Sequence, residues 1–184
     1  MVGLAGLMLV GLTLKATRDA VAETRRVGEA QARAYVYAKN AELRHEYAST
    51  KVKLYCANTG QSPARYFRIG IASAVLKLPT GGNITVPSDL AYKTWTGLGA
   101  NDIDTVNMYP DDMAMHIYRA GMAEEPGKVA VFVVGRIIYG DIFGDEWESE
   151  FSFFVRPPFK HGVRKMSRST AQLRAYQGRE KGSG

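Results

Sequence analysis

Five acidic residues fall within ten positions late in the chain: Asp141, Asp145, Glu146, Glu148 and Glu150. On an extended strand, Glu148 and Glu150 project from one face, a spacing at which one carboxylate can act as acid and the other as base. Their neighbours offer a simpler account. Trp147, Ser149, Phe151, Phe153 and Val155 alternate with them, so the acids form the wet face of a half-buried strand, where charge also deters aggregation. An enzyme using the carboxylates of the 141–150 hairpin remains one alternative function, without a substrate class attached.

The other reactive side chains are isolated. His45, His116 and His161 have no His or Cys at ligand spacing, which argues against zinc. Asp102 and Asp104, with Asn101 and Asn107, resemble the start of a calcium loop but lack its glycine and bidentate Glu, so a solvated acidic loop is expected. Cys56 alternates with Val52 and Leu54 and reads as a small buried hydrophobe. As the single cysteine it excludes an intramolecular disulfide and suits a reducing compartment. The chain has no G-x-S-x-G elbow, no phosphate-binding P-loop and no G-x-G-x-x-G after a strand. The expectation is a non-enzyme without catalytic residues, metal ligands or cofactor.

The formal net charge of +6 is concentrated at one end. Residues 156–184 hold eight of the 24 basic residues (among them Arg156, Lys160, Arg164, Lys165 and Arg168) and only one acid, Glu180. The remainder of the chain is close to neutral. Any affinity for anionic partners is therefore assigned to this tail, which begins Pro157-Pro158, ends Gly-Ser-Gly and reads as a flexible segment. Anionic lipid headgroups are the favoured contact. Binding nucleic acid through the tail, as a soluble protein, is the other alternative function, and no recognised fold or stacking platform supports it.

The elements that would position these residues begin with residues 1–14, an apolar run without charge. As a helix it reaches about 21 Å, short of the ~30 Å hydrocarbon core. A membrane anchor, complete or truncated, competes with a signal peptide and with a buried helix. Lys15, Arg18, Arg25, Arg26 and Arg33 follow, and the positive-inside rule then keeps the downstream domain in the cytoplasm, at the inner membrane. Residues 15–34, rich in Ala, Glu, Arg and Gln, continue as a helical stalk. Its stripe of small and polar residues is too thin for more than weak self-association.

From residue 35 to residue 155 the period changes to alternation. Strands are expected over Arg33–Ala38, Lys51–Ala57, within Arg65–Leu78 with a bend near Gly70 or Ser73, at Ile84–Val86, over Lys128–Tyr139 and over Glu146–Val155. Asn58–Pro63 and Pro79–Asn83 read as turns, the former also as a possible binding loop. Residues 87–126 are the least legible, with loops, one weak strand and a helical turn after Pro110, whose first turn Asp111 and Asp112 suit. Short strands without βαβ periodicity predict a mainly β protein, a long N-terminal helix followed by an immunoglobulin-like antiparallel β-sandwich, with a small open barrel as the alternative.

Three segments together, Gly28–Val36, Asn58–Ala64 and Gly135–Gly144, resemble a set of uncharacterised bacterial membrane-anchored proteins with an N-terminal membrane segment, a helical stalk and a β-sandwich ending in a similar Tyr-x-Asp-x-Phe-Gly hairpin. The likeness covers roughly residues 10–155, and the apolar segment here is shorter than that pattern expects. It implies location and architecture and brings no biochemical activity. The resulting expectation is a membrane-tethered, non-catalytic interaction or scaffold module. The bilayer and an unidentified protein are its partners, with membrane or anionic-surface contact at Lys15, Arg18, Arg156, Lys160, Arg164, Lys165 and Arg168.

Overall fold

The computed structural model describes residues 2–46, 49–78 and 84–168, with side chains from residue 10 onward. Helix α1 runs over Val2–Ala32, about 46 Å at 1.5 Å per residue. Strong helix formers sustain it, and the Arg25–Glu29 (2.7 Å) and Arg26–Glu23 (3.2 Å) pairs decorate its surface. Residues 10–28 are exposed throughout, so the helix leaves the β domain along most of its length. No helix among the described residues is long and apolar enough to cross a membrane. The expected transmembrane helix is corrected on that point: α1 has the length, but charges recur from Lys15 onward.

Nine strands follow among the described residues: β1 Val36–Glu46, β2 Ser49–Asn58, β3 Ala64–Lys77, β4 Tyr92–Leu98, β5 Ile103–Met108, β6 Val129–Gly140, β7 Glu146–Val155, β8 Gly162–Lys165 and β9 Ser167–Arg168. A short helix, α2 (Met113–Gly121), separates β5 from β6. The strands form two antiparallel sheets, ordered β5-β2-β1-β8 and β4-β3-β6-β7-β9. The protein is mainly β with an N-terminal helix, as its alternation predicts.

Inward residues of both sheets build one core. Val36, Leu43, Val52, Leu54 and Cys56 of the four-stranded sheet meet Phe67, Ile69, Ile137, Tyr139, Phe151 and Phe153 of the five-stranded sheet. Helix α2 is amphipathic and lays Met113, Ile117 and Ala120 onto that core. A smaller apolar cluster, Ala130, Phe132 and Val134, occupies alternate positions on the opposite side of β6. The segment leading into β4 crosses β3 on the way: a Cβ on Gly70 would lie 2.7 Å from the Leu90 Cβ.

Several boundaries differ from expectation. The first strand starts three residues later and runs to Glu46, with Lys39 as the extra residue where the register shifts between Ala38 and Asn40. Strand β3 is continuous, paired with β6 from Tyr66 to Lys77 without interruption at Gly70 or Ser73. Ile84–Val86 is irregular rather than a strand, and the strand beside β3 is β4. Asp112 precedes α2 in the left-handed region (φ 57°) and makes no side-chain cap. The acids there mark the turn before the helix, not its first turn. Strand pairing also continues beyond residue 155, since β8 pairs with β1 and β9 with β7. The expected turn at 79–83 and the tail from residue 169 lie outside the described residues.

Candidate functional site

The three segments singled out in the sequence meet where α1 joins the sheets. Asn58 organises the junction from a fully buried position. Its side-chain carbonyl accepts from the amides of Tyr35 (2.9 Å) and Gly60 (3.0 Å), and its amide group donates to the carbonyls of Ser62 (2.8 Å) and Gly99 (3.0 Å). Thr59 N–H then donates to the Tyr35 carbonyl (3.1 Å). Gly60 packs so tightly on the chain leaving the helix that a Cβ there would stand 2.1 Å from the Arg33 carbonyl oxygen. The Tyr35 hydroxyl reaches back to the Ala30 carbonyl (3.0 Å), inside the last turns of α1.

The β6–β7 hairpin supplies the other side of the joint. Asp141, 1% exposed, accepts from Phe143 N–H (2.9 Å), Asp145 N–H (3.0 Å) and Trp147 Nε1–H (3.0 Å). The Arg33 guanidinium lies 4.1 Å from the Trp147 ring, and Ser149 donates to the Val36 carbonyl across the two sheets (2.8 Å). Turn residues that could have formed a binding loop at 58–64 thus direct their polar groups inward, to fix how the helix leaves the sheets.

The carboxylates of the hairpin face cations. Glu146 accepts from the Tyr66 hydroxyl and from Arg68, both at 2.7 Å. Arg136 bonds Glu150 at 2.7 Å and lies 3.7 Å from Glu148. The hydrogen bond to Glu146 pushes the Tyr66 phenol above its ordinary range, with burial adding to it. The Glu150 hydrogen bond likewise raises the Arg136 guanidinium. Glu148 and Glu150 therefore sit either side of one guanidinium, in a charge ladder that accounts for all three glutamates.

The histidines lie apart from that ladder. His45 stacks on His161 with centroids 5.0 Å apart, and its Nδ1 is 2.9 Å from the Thr50 hydroxyl. Burial, and then the second imidazole, hold His45 below the usual range. His116 Nδ1 meets the Ser73 hydroxyl at 2.9 Å, beneath α2. The Ser73 hydroxyl also lies 3.2 Å from the Asp111 carbonyl. The Ser73–His116 pair latches α2 to β3. Asp102 and Asp104 each bond the next residue's amide, and no three metal-ligating side chains group together among the described residues. Burial pushes the Cys56 thiol up to about 12, which keeps it protonated.

The seven cationic residues singled out in the sequence separate into four groups. Lys15 and Arg18 lie exposed on α1, just beyond its apolar end. Arg164 and Arg168 serve the fold: Arg164 donates to the carbonyls of Arg156 (3.1 Å) and Pro158, and Arg168 donates to the Ala38 carbonyl (2.7 Å) between the rings of Tyr37 and Phe153. Arg156 rests over Phe154 at 5.6 Å, while Lys160 is exposed, with no ion pair among the described residues. Lys165 belongs to a different surface. Strand β8 places it opposite Glu42 of β1, which in turn pairs with Lys53 of β2.

That pairing creates a basic sheet face that composition alone does not reveal. Arg44, Lys51, Lys53 and Lys165 project from the outer side of the four-stranded sheet, with Lys39 added by the bulge, against Glu42 and Glu46. The Lys51-x-Lys53 alternation was a visible signal. What was missing was the register that sets it beside Arg44 and Lys165. No family model matches this chain, and no curated protein or solved structure matches it.

Proposed function

We propose that the chain is a non-catalytic interaction module held at a membrane surface, on its cytoplasmic side, by the apolar end of α1. The observation that carries this reading is the exposure of that end. Val10, Leu12 and Leu14 are 58%, 68% and 61% exposed on a helix whose residues 10–28 are all exposed. Apolar side chains presented in this way favour an apolar phase, and Lys15 and Arg18 follow at the position where a headgroup layer would lie. About 14 apolar residues reach about 21 Å as a helix, enough to enter the hydrocarbon layer, which is the attachment proposed.

The domain beyond the joint is read as an immunoglobulin-like sandwich that presents its faces to partners. Support comes from the single core shared by both sheets and from the chain crossing between them after β2, β4, β5, β7 and β8. The likeness of the three joint segments to bacterial membrane-anchored proteins fits this reading, because those segments define how the helix leaves the domain. Fractionation tests it: full-length protein should float with membranes, and Leu12→Glu with Leu14→Glu should release it. Wild-type protein recovered entirely in the soluble fraction at low salt would remove the proposal.

A further inference from the structure

The two outer sheet faces treat charge in opposite ways. On the five-stranded sheet, Arg68 and Arg136 are matched to Glu146, Glu148 and Glu150 by contacts of 2.7–3.7 Å. On the four-stranded sheet, Glu42 engages Arg44 at 3.6 Å and hydrogen-bonds Tyr55. Lys39, Lys51, Lys53 and Lys165 form no ion pair among the described residues. Lys53 instead rests 5.0 Å from the Tyr55 ring. The strand pairing spaces these ammonium groups at roughly 7 Å along β2 and roughly 10 Å across to β8. The result is a face with a net basic charge, its cations outnumbering Glu42 and Glu46, with neutral Thr105 and Asn107 as its β5 border.

We infer that the outer face of the four-stranded sheet docks on an anionic phospholipid bilayer through Lys39, Lys51, Lys53 and Lys165. Charge complementarity is the first argument: an excess of lysines outside any ion pair suits a planar array of phosphate and carboxylate headgroups, each contributing about 1 kcal/mol near such a surface. The second is that the face and the apolar end of α1 belong to one chain: a polybasic patch beside an apolar insertion adds its attraction for anionic headgroups to the same attachment. This inference rests on the membrane reading of α1 and supplies its missing partner contact.

Full-length protein is mixed with vesicles of phosphatidylcholine alone, or with phosphatidylserine at about one part in three, and binding is followed by co-sedimentation across a salt series. Three proteins are compared: wild type, the face variant Lys51→Glu/Lys53→Glu/Lys165→Glu, and a control of equal net charge, Lys77→Glu/Lys93→Glu/Arg119→Glu. Circular dichroism confirms that each is folded. The expected result is a loss of about 100-fold or more on anionic vesicles for the face variant, little change for the control, and residual binding to neutral vesicles that the face variant retains. Equal losses for the two variants would mean that net charge, not this face, is responsible, and would overturn the inference. Selective loss of binding to a single-stranded RNA oligonucleotide, with vesicle binding unchanged, would also overturn it and assign the face to nucleic acid. Failure of the helix reading has its own signature: Leu12→Glu/Leu14→Glu leaves neutral-vesicle binding unchanged, whatever the face variant does.

Discussion

Asn58 joins four backbone groups from three segments through one side chain, so its removal should cost far more than an average hydrogen bond. Asn58→Ala strands the amides of Tyr35 and Gly60 and the carbonyls of Ser62 and Gly99 at a buried site. A loss of about 3 kcal/mol is expected, read as a lower urea midpoint in equilibrium unfolding. Cys56 makes a prediction of opposite character. Its folded thiol is raised from 9.0 to about 12 by burial, with Asp104 adding to it, so the folded state holds the proton more tightly than the unfolded state. That stability is complete below pH 9 and is lost as pH rises towards 12, at up to about 1.4 kcal/mol per pH unit. Cys56→Ala should flatten the pH dependence of the urea midpoint above pH 9, and an unchanged slope would refute the burial account. At neutral pH the native thiol should resist iodoacetamide and react only on unfolding.

Strands β8 and β9 make the basic segment after Val155 part of the fold. Met166 is 8% exposed, its amide donates to the Ala41 carbonyl (2.9 Å), and β8 covers the free side of β1. Truncation after Val155 should therefore lower stability by about 3 kcal/mol or more, as thermal or urea unfolding will show. The sequence concealed this because Gly162–Lys165 is short, polar and mostly exposed, and edge strands of that kind carry no alternation. Strands β4 and β5 were obscure for a related reason. Only Leu98, Val106 and Met108 of their residues are buried, since each is an edge. By contrast β2, β6 and β7 were legible where one face or both is continuously apolar. At the joint, Asn58, Gly60 and Asp141 were visible as turn residues. Their convergence was not, because hydrogen bonds between positions as far apart as 58 and 99 leave no local pattern.

At the scale of the whole molecule, helix and sheets are energetically separable. Residues 10–28 bury almost nothing, so removing residues 1–28 should change the unfolding free energy of the β domain by less than about 1 kcal/mol, while abolishing membrane flotation. A large loss of stability would show that α1 packs in solution as it does not here. Separable energies do not make the two parts mechanically independent. The helix feeds directly into β1, and β1 is an interior strand, laddered to β2 on one side and to β8 on the other. Tension between the membrane and anything gripping the domain therefore enters at a strand that both neighbours restrain. Extracting it requires shearing two ladders together rather than peeling an edge bond by bond. Resistance of that kind is a property of the unfolding rate under load, not of the folding equilibrium. A tether built onto β5 or β4 would have unzipped from the rim; this one pulls on the middle of its sheet.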